Sequence, residues 1–177
     1  MLRALVSKVQ EYTENPDPLA NAAGTIAIVV AGNQPFYPLY LHAIVGAAAW
    51  PAWLTLLSTP FFLMIPVIAR RNSLWGRALL PIAGVANTVL CVKLFGTASA
   101  VELFLLPCVL LGVILFRPRE RATIVLVLTL PFASYFGLDW ILGPPVQIFS
   151  SSEYNSMIAV HAVSTAVKYQ ASGAAGF

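Results

Sequence analysis

Long apolar runs separated by short polar breaks dominate this chain. The clearest run lies between Gly96 and Arg121, where roughly 20 mostly apolar residues end in a burst of charge; that length crosses a hydrocarbon core of roughly 30 Å as a helix. Similar runs recur along the chain and predict an all-α fold, a polytopic helical membrane bundle formed by residues 15–177. The predicted spans cover residues 19–42, 47–69, 78–95, 98–116 and 122–142.

Residues 1–14 follow a different pattern, with apolar side chains at i, i+3, i+4 spacing and charged side chains off that stripe. This spacing predicts a short amphipathic helix lying on the cytoplasmic surface of the membrane. The Asn-Pro-Asp-Pro sequence at residues 15–18 then breaks the helix, because a residue that precedes proline is pushed out of the helical region. The stripe consists of Leu2, Leu5, Val6, Val9 and Tyr12.

The C-terminal pattern is open to two readings. Residues 144–156 are polar and predict an outer loop, and the apolar stretch that follows is interrupted by polar side chains and is too short to span alone. Residues 157–177 therefore form either a sixth span, completed by small residues, or an interfacial helix. The prediction is a bundle of five to six transmembrane helices.

The first span carries small residues at helical spacing and then a polar break. Ala23, Gly24, Ala27 and Ala31 form a face that lets another helix approach closely, either within the bundle or on a partner protein. The break at residues 33–38 contains two prolines, which predict a kink. Such a break is tolerated in a membrane only where neighbours satisfy the freed backbone groups, so we expect it to face the bundle interior.

Basic residues lie in short loops on one side of the predicted bundle. The net charge of +3 and pI near 9.1 fit this positive-inside pattern better than nucleic-acid binding, so we expect the lipid bilayer and no nucleic acid as a partner. The expected location is the bacterial inner (cytoplasmic) membrane, multi-pass, with the N-terminus in the cytoplasm. The residues that set this orientation are Arg3, Lys8, Arg70, Arg71, Arg77, Arg117, Arg119 and Arg121.

Composition argues against catalysis. Apolar residues make up 59% of the chain and charged residues 10%, against about 25% charged in an average soluble domain, which leaves no room for a soluble catalytic domain. Phosphate-loop, zinc-protease, nucleophile-elbow and dinucleotide motifs do not occur in the sequence. Cys91 and Cys108 lie in apolar runs without metal-type spacing and are expected to be small core residues. We therefore predict no enzyme, no cofactor and no metal site.

Polar side chains near the outer ends of the spans are the candidate ligand site. Lys93 and Glu102 flank one turn, where they could form an ion pair or simply anchor the interface. Tyr37, Tyr40 and Asn87, with the polar residues of the proline break, are either interhelical hydrogen-bonding groups or the wall of a small-ligand pocket. The predicted ligand-binding residues are Tyr37, Tyr40, His42, Asn87, Lys93 and Glu102.

Several of these motifs resemble a known class of module. They are the stretch GTASAVELFLLP at residues 96–107, its ending LFRPRER at 115–121, the Arg70-Arg71 and Gly76-Arg77 boundaries, and the polar outer loop that contains Asn155 and precedes the last span. These motifs are similar to the multi-span membrane modules that precede bacterial class III adenylyl cyclase domains and some sensor histidine kinases. The resemblance covers about residues 60–165. It implies a six-helix receptor-like or anchoring domain. Such modules continue into a cytoplasmic effector domain. We therefore expect either that the effector is a separate chain or that this protein is a stand-alone relative of the modules.

Three functions remain in competition. The first is a non-catalytic sensory or anchoring module that relays a membrane or external cue to a protein partner or a second copy. The second is an accessory subunit of a larger respiratory or photosynthetic membrane complex, packed through the small-residue face. The third is a small oligomeric permease, which the position of the ionisable groups at the span ends rather than the midplane disfavours.

Overall fold

The computed structural model describes the backbone of residues 2–174 and the side chains of residues 6–138 and 140–166. All regular elements in this part of the chain are helical, which confirms the predicted all-α class. The α-helices are α1 (Leu2–Thr13), α2 (Pro18–Asn33), α3 (Phe36–Val45), α4 (Thr59–Arg71), α5 (Ser73–Phe95), α6 (Leu105–Ile114), α7 (Arg121–Leu142) and α8 (Ser151–Ala174). Three 3-10 segments, Gly46–Ser58, Thr97–Ser99 and Val101–Phe104, connect them.

Within residues 2–174, which the structure describes, three helical stretches are long and apolar enough to cross a membrane. They are Pro18–Arg71, which contains 54 residues, Ser73–Phe95 and the part of α7 from Arg121 to Leu138. A shorter apolar stretch, Val101–Ile114, lies between the second and the third. Since about 20 residues suffice for one crossing, the first stretch is long enough for two.

Helix α5 lies at the centre of the bundle and packs against α2, α4, α6 and α7. Hydrogen bonds define two ends of the bundle along this helix. We call the end where Arg77 meets Asp17 and Glu120 the arginine end. The end where His161 meets Tyr37 and Ser99 is the histidine end. The distribution of polar groups thus gives the two ends of the same helices different chemistry.

The small-residue face of α2 is inside the bundle. Ala23 and Ala27 are fully buried and Ala31 nearly so, in a core cluster with Phe62 of α4 and Leu80 of α5. A Cβ added to the buried Gly24 would contact Thr13 and Pro66 at 3.4–3.5 Å. Because α4 and α5 already cover this face, the expectation that it packs on a partner protein is wrong.

The predicted break in the first span is present, but it faces inward only in part, because Gln34 and Pro38 are buried whereas Asn33, Pro35 and Phe36 are exposed. α2 ends at Asn33 and α3 begins at Phe36, and Gln34 between them is buried. The Gln34 Nε2 donates to Ser58 Oγ at 2.8 Å, which joins the break to the segment that precedes α4. This interhelical hydrogen bond satisfies a polar group that would otherwise cost free energy in an apolar interior.

The predicted span 47–69 is not one α-helix. Its first part, Gly46–Ser58, is a 13-residue 3-10 segment that contains Pro51, a residue without an N–H to donate in an α-helix. With three residues per turn, every third side chain falls on the same face. The buried face carries Ala49, Ala52, Thr55 and Ser58.

Two helices begin earlier than the sequence predicts. α5 begins at Ser73 rather than 78, because Asn72 Oδ1 caps the helix by accepting from Trp75 N–H at 3.1 Å. α8 begins at Ser151, inside the predicted outer loop 144–156. There the Glu153 carboxylate accepts from the backbone N–H of Ser150 at 2.7 Å, and the Ser150 hydroxyl accepts from Glu153 N–H at 3.4 Å, a capping box.

The N-terminal helix α1 is tied to α4. The Tyr12 hydroxyl donates to the Leu63 carbonyl at 2.8 Å, and Arg70 Nη2 donates to the Tyr12 carbonyl at 2.6 Å. The Arg70 guanidinium also lies over the Tyr12 ring, 5.5 Å from its centroid. The side chains of Leu2 and Leu5 in the predicted stripe, and that of Arg3, lie outside the described residues, as do residues 175–177 of the predicted sixth span.

Candidate functional site

His161 of α8 is the centre of a hydrogen-bonded cluster at the histidine end. It is fully buried, and its Nδ1 lies 2.6 Å from the Ser99 carbonyl oxygen. A carbonyl oxygen can only accept, so Nδ1 carries the proton and donates. In the neutral ring Nε2 is then an acceptor, and it receives the Tyr37 hydroxyl proton across 2.9 Å. One imidazole therefore joins α8 to both α3 and the 97–99 turn.

Aromatic rings hold this cluster in place. The Tyr37 ring stacks on His161 at a centroid distance of 5.8 Å, and the Phe104 ring meets His161 edge-on at 5.5 Å. Phe95 packs edge-on against Tyr37 at 6.3 Å. Offset and edge-to-face contacts are the favoured arrangements of aromatic pairs, so these rings restrict the orientation of the hydroxyl and the imidazole.

A sharp turn after α5 presents the Ser99 carbonyl to His161. Gly96 and Ala100 both have positive φ, 79° and 56°, a region that favours glycine and is uncommon for alanine. The Ser99 hydroxyl bonds the Gly96 carbonyl at 2.7 Å and closes the turn. The Ser99 carbonyl is therefore free to accept from α8.

A cavity of about 50 Å³ lies beside this cluster. Tyr37 belongs to both, since its ring forms one wall of the cavity and its hydroxyl bonds His161. Asn87 supplies a polar group from α5, and its Oδ1 is buried with no hydrogen-bond donor in range among the residues that the structure describes. The lining residues are Val30, Asn33, Gln34, Tyr37, Tyr40, Asn87, Cys91, Phe104 and Ser164.

Half of the predicted ligand residues line this cavity: Tyr37, Tyr40 and Asn87. His42 is exposed in the last turn of α3, away from the cavity lining. Glu102 lies in the 3-10 segment Val101–Phe104 and is partly buried there, also outside the lining. The six residues therefore do not form one site. The sequence places them in the outer half of the bundle, with Asn87 deeper, near the middle of its span, but it does not show which helix faces meet.

Lys93 occupies a different position from the one predicted. Its Nζ donates to the main-chain carbonyls of Leu142 and Pro144, each at 2.8 Å. The backbone N–H of Val146 also bonds the Lys93 carbonyl at 2.9 Å, so the loop after α7 lies across the end of α5. These bonds hold the Lys93 ammonium at the end of α7. The predicted ion pair requires the ammonium to lie against Glu102 instead.

Sequence reasoning missed the role of α8. His161 and Ser164 are three residues apart and so share a helix face, and that spacing was the available signal. His161 stands out as a polar group near the outer side, but its partners Tyr37 and Ser99 are 124 and 62 residues away in the chain. Such distant pairs are not visible in a single sequence.

The arginine end contains a network of paired charges. Arg77, 1% exposed, forms two parallel hydrogen bonds to the Glu120 carboxylate at 2.7 and 2.9 Å and a third to the Leu115 carbonyl at 2.7 Å. Its Nε lies 3.7 Å from Asp17 Oδ2, and Arg117 Nη2 bonds Asp17 Oδ1 at 2.9 Å. The fork of an arginine matches a carboxylate in this bidentate way. The network joins the first turn of α2, the first turn of α5 and the loop before α7.

These contacts lower the pKa of both carboxyl groups. Hydrogen bonds from Arg77 lower the pKa of Glu120 to about 2, against the opposing effect of burial and with help from the Arg117 backbone N–H. Burial alone would raise the pKa of Asp17, but bonds from Ser73 and the Leu19 N–H, with the charges of Arg77 and Arg117, hold it below its usual value. Both groups are therefore ionised at neutral pH.

No family model matches this chain, and neither a curated protein nor a solved structure matches it.

Proposed function

We propose that this chain is a non-catalytic integral membrane protein, a receptor-like or anchoring module that senses a membrane or external cue and relays it to a partner. The observation that carries the proposal is the course of α5. This helix joins Arg77 in the charged network to Asn87 at the cavity. A conformational change at the cavity can therefore be transmitted along one continuous helix to the opposite end, where basic residues are exposed.

The proposed topology has six crossings and a cytoplasmic N-terminus in a bacterial inner membrane. The first two crossings divide the 54-residue stretch, and α5, residues 97–114, α7 and α8 supply the others. The arginine end then faces the cytoplasm, which the positive-inside rule supports. α1 lies at that end as a surface helix, since Arg70 and Tyr12 hold it against the end of α4.

Cysteine accessibility in intact cells tests this topology. Ala98 and Arg119 are exposed at opposite ends, while the native Cys91 and Cys108 are buried and give a low background. We expect a membrane-impermeant maleimide to label the Ala98→Cys variant in intact cells and the Arg119→Cys variant only after permeabilisation. The reverse pattern would overturn the orientation. A Ser172→Cys variant protected like Arg119→Cys supports six crossings, and labelling from outside supports five.

The exposed face of α7 fits the accessory-subunit alternative as well as the receptor. α7 is largely uncovered, with Phe132, Phe136, Trp140 and Ile141 all more than half exposed. Lipid covers such a face in a receptor module, and another subunit covers it in a complex. Purification in mild detergent distinguishes the two, because a stable stoichiometric partner supports the subunit and an isolated chain or dimer supports the receptor.

A further inference from the structure

We propose that the cavity binds the head group of a neutral amphiphile that enters sideways from the bilayer. The head group is a hydroxyl or a primary amide, which both donates and accepts hydrogen bonds, and the apolar tail stays in lipid. This inference rests on the proposed membrane location of the chain and goes beyond it by naming the chemistry of the ligand.

The depth of the cavity points to a ligand dissolved in the membrane. Asn33 lies 15 residues beyond Pro18 in α2, and Asn87 lies 14 beyond Ser73 in α5. At ~1.5 Å per residue, both are roughly 21–23 Å from the arginine end, within a hydrocarbon core of roughly 30 Å. Two helices thus give the same depth, in the outer third of the core and below the outer head groups.

Two residues that line the cavity are exposed at the surface of the bundle. They are Asn33 of α2 and Tyr40 of α3, with Tyr40 58% exposed. Val30 lies one turn before Asn33 on the same helix and adds an apolar edge. An apolar tail can therefore lie along α2 while the head occupies the cavity.

The lining chemistry selects an uncharged head. Every described residue that lines the cavity is uncharged at neutral pH in its ordinary state, and Lys93 on the same helix as Asn87 is committed to the carbonyls of Leu142 and Pro144. A charged head brought into this apolar depth would lose its hydration with no counter-charge from those residues, which is strongly unfavourable.

The hydrogen-bonding groups select a head that both donates and accepts. The buried Asn87 Oδ1 needs a donor, whereas the Ser164 and Tyr40 hydroxyls and the Asn33 amide can donate. Gln34 is less available because its Nε2 already donates to Ser58. A hydroxyl or primary amide supplies the missing donor and accepts in return.

The size of the cavity excludes a whole amphiphile. A volume of about 50 Å³ is several times the roughly 10–15 Å³ that one water needs on this measure, so it admits a head of a few heavy atoms. The rest of the ligand must lie outside, against lipid and the exposed side of α2 and α3.

Photo-crosslinking in lipid nanodiscs tests the proposal with a defined probe. The probe is 1-dodecanol in which one methylene group close to the hydroxyl is replaced by a diazirine. We expect the label on peptides that contain residues 30–40 or 161–166. Unlabelled 1-dodecanol and dodecanamide should compete, whereas dodecane, dodecyl sulfate and dodecyltrimethylammonium should not. Equal competition by dodecane, or a label spread over the apolar surface, would overturn the proposal.

Variants make the test specific to the site. Asn87→Leu and Tyr40→Phe each remove one polar group and should weaken labelling by about two- to tenfold, the value of one neutral hydrogen bond. Tyr135→Phe removes an exposed hydroxyl on α7 and is the matched control. Tyr40 is exposed, so its variant remains informative if Asn87→Leu does not fold. Unchanged labelling in the folded variants overturns this inference, while the accessibility pattern decides the topology separately.

Discussion

The two ends of the bundle solve the problem of buried polar groups in different ways. At the arginine end, Arg77 donates to three oxygens, two of the Glu120 carboxylate and one of the Leu115 carbonyl, and lies beside Asp17. At the histidine end, the described residues that line the cavity carry uncharged side chains, and the Asn87 Oδ1 lacks a donor among the described residues. The charges of the arginine end are thus paired with one another, whereas the cavity at the histidine end retains unused hydrogen-bonding capacity.

This difference separates stability from binding. Burying a charge costs several kcal/mol unless its partners are in place, so the arginine end is expected to be the most sensitive part of the bundle to mutation. An unsatisfied neutral acceptor costs less, and it leaves a position that a ligand can complete. The predictions below test that division, from the largest expected effect to the smallest.

Removing Arg77 should have the largest effect. Arg77→Ala leaves the Glu120 carboxylate, 14% exposed, without its bidentate partner, which should lower the free energy of unfolding by about 3–5 kcal/mol. Unfolding in a detergent or bicelle titration measures the change. The control is Arg119→Ala, an exposed arginine in the same region, for which we expect a change within about 0.5 kcal/mol. Equal effects of the two substitutions would show that the network does not stabilise the fold.

Low pH should have the second largest effect, because it lowers the free energy of unfolding through the carboxyl groups of the arginine end. Because the pKa of Glu120 falls from 4.5 to about 2 on folding, its contribution is complete above pH 4.5 and is lost as the pH falls toward 2. The loss is on the order of 3 kcal/mol at 1.36 kcal/mol per pKa unit. The lowered pKa of Asp17 acts in the same direction. Glu120→Gln should be less stable at pH 7 and show a shallower decline in acid; parallel pH curves for the two proteins would contradict this account.

Substitutions at the histidine end should lower the free energy of unfolding by a smaller amount. Tyr37→Phe removes the donor to His161 Nε2 and leaves that buried nitrogen unsatisfied, so the free energy of unfolding should fall by about 1–2 kcal/mol. The same substitution at Tyr40, whose ring is 58% exposed, should change it by less than about 0.5 kcal/mol. Chemical denaturation of both variants in one lipid or detergent checks the difference, and similar losses would argue against the buried hydrogen bond.

Asn87→Leu should have the smallest effect on stability. It replaces an unsatisfied acceptor with an apolar side chain of similar size next to a cavity, which is expected to be neutral or to stabilise by up to about 1 kcal/mol. Thermal unfolding in the absence of added amphiphile measures this. A loss above about 2 kcal/mol would mean that Asn87 has a structural role at this site, and the contrast between the two ends would then fail.

Sequence patterns predict the helices better than the contacts between them. Apolar runs and the double-proline break give the all-α class and the division between α2 and α3, because these are local properties of the chain. The sequence pattern does not predict the early start of α5, because a charged residue such as Arg77 indicates a loop. In the structure Arg77 lies within the helix, where Glu120, 43 residues away, and Asp17 pair with its charge. Pairing at that distance depends on tertiary packing.

The candidate site was predictable in the same partial way. Tyr37, Tyr40 and Asn87 stand out as polar groups in apolar runs, and all three line the cavity. His42 and Lys93 stand out equally, but the rotation of α3 and the loop after α7 take them elsewhere. Helix rotation is decided by packing on all sides, so single-sequence reasoning selects the right residue types without selecting the right faces.

The 3-10 winding of Gly46–Ser58 has a consequence for the register between crossings. From Ala49 to Ser58 there are nine steps, which make three full turns at ~3.0 residues per turn but ~2.5 turns in an α-helix. Rewound as an α-helix, the segment would shorten by about 0.5 Å per residue and rotate Ser58 half a turn away from Gln34, which now donates to it at 2.8 Å. The number of residues per turn thus sets the rotation of the second crossing about its axis relative to the first. Inserting one residue would change that rotation more than substituting one side chain would.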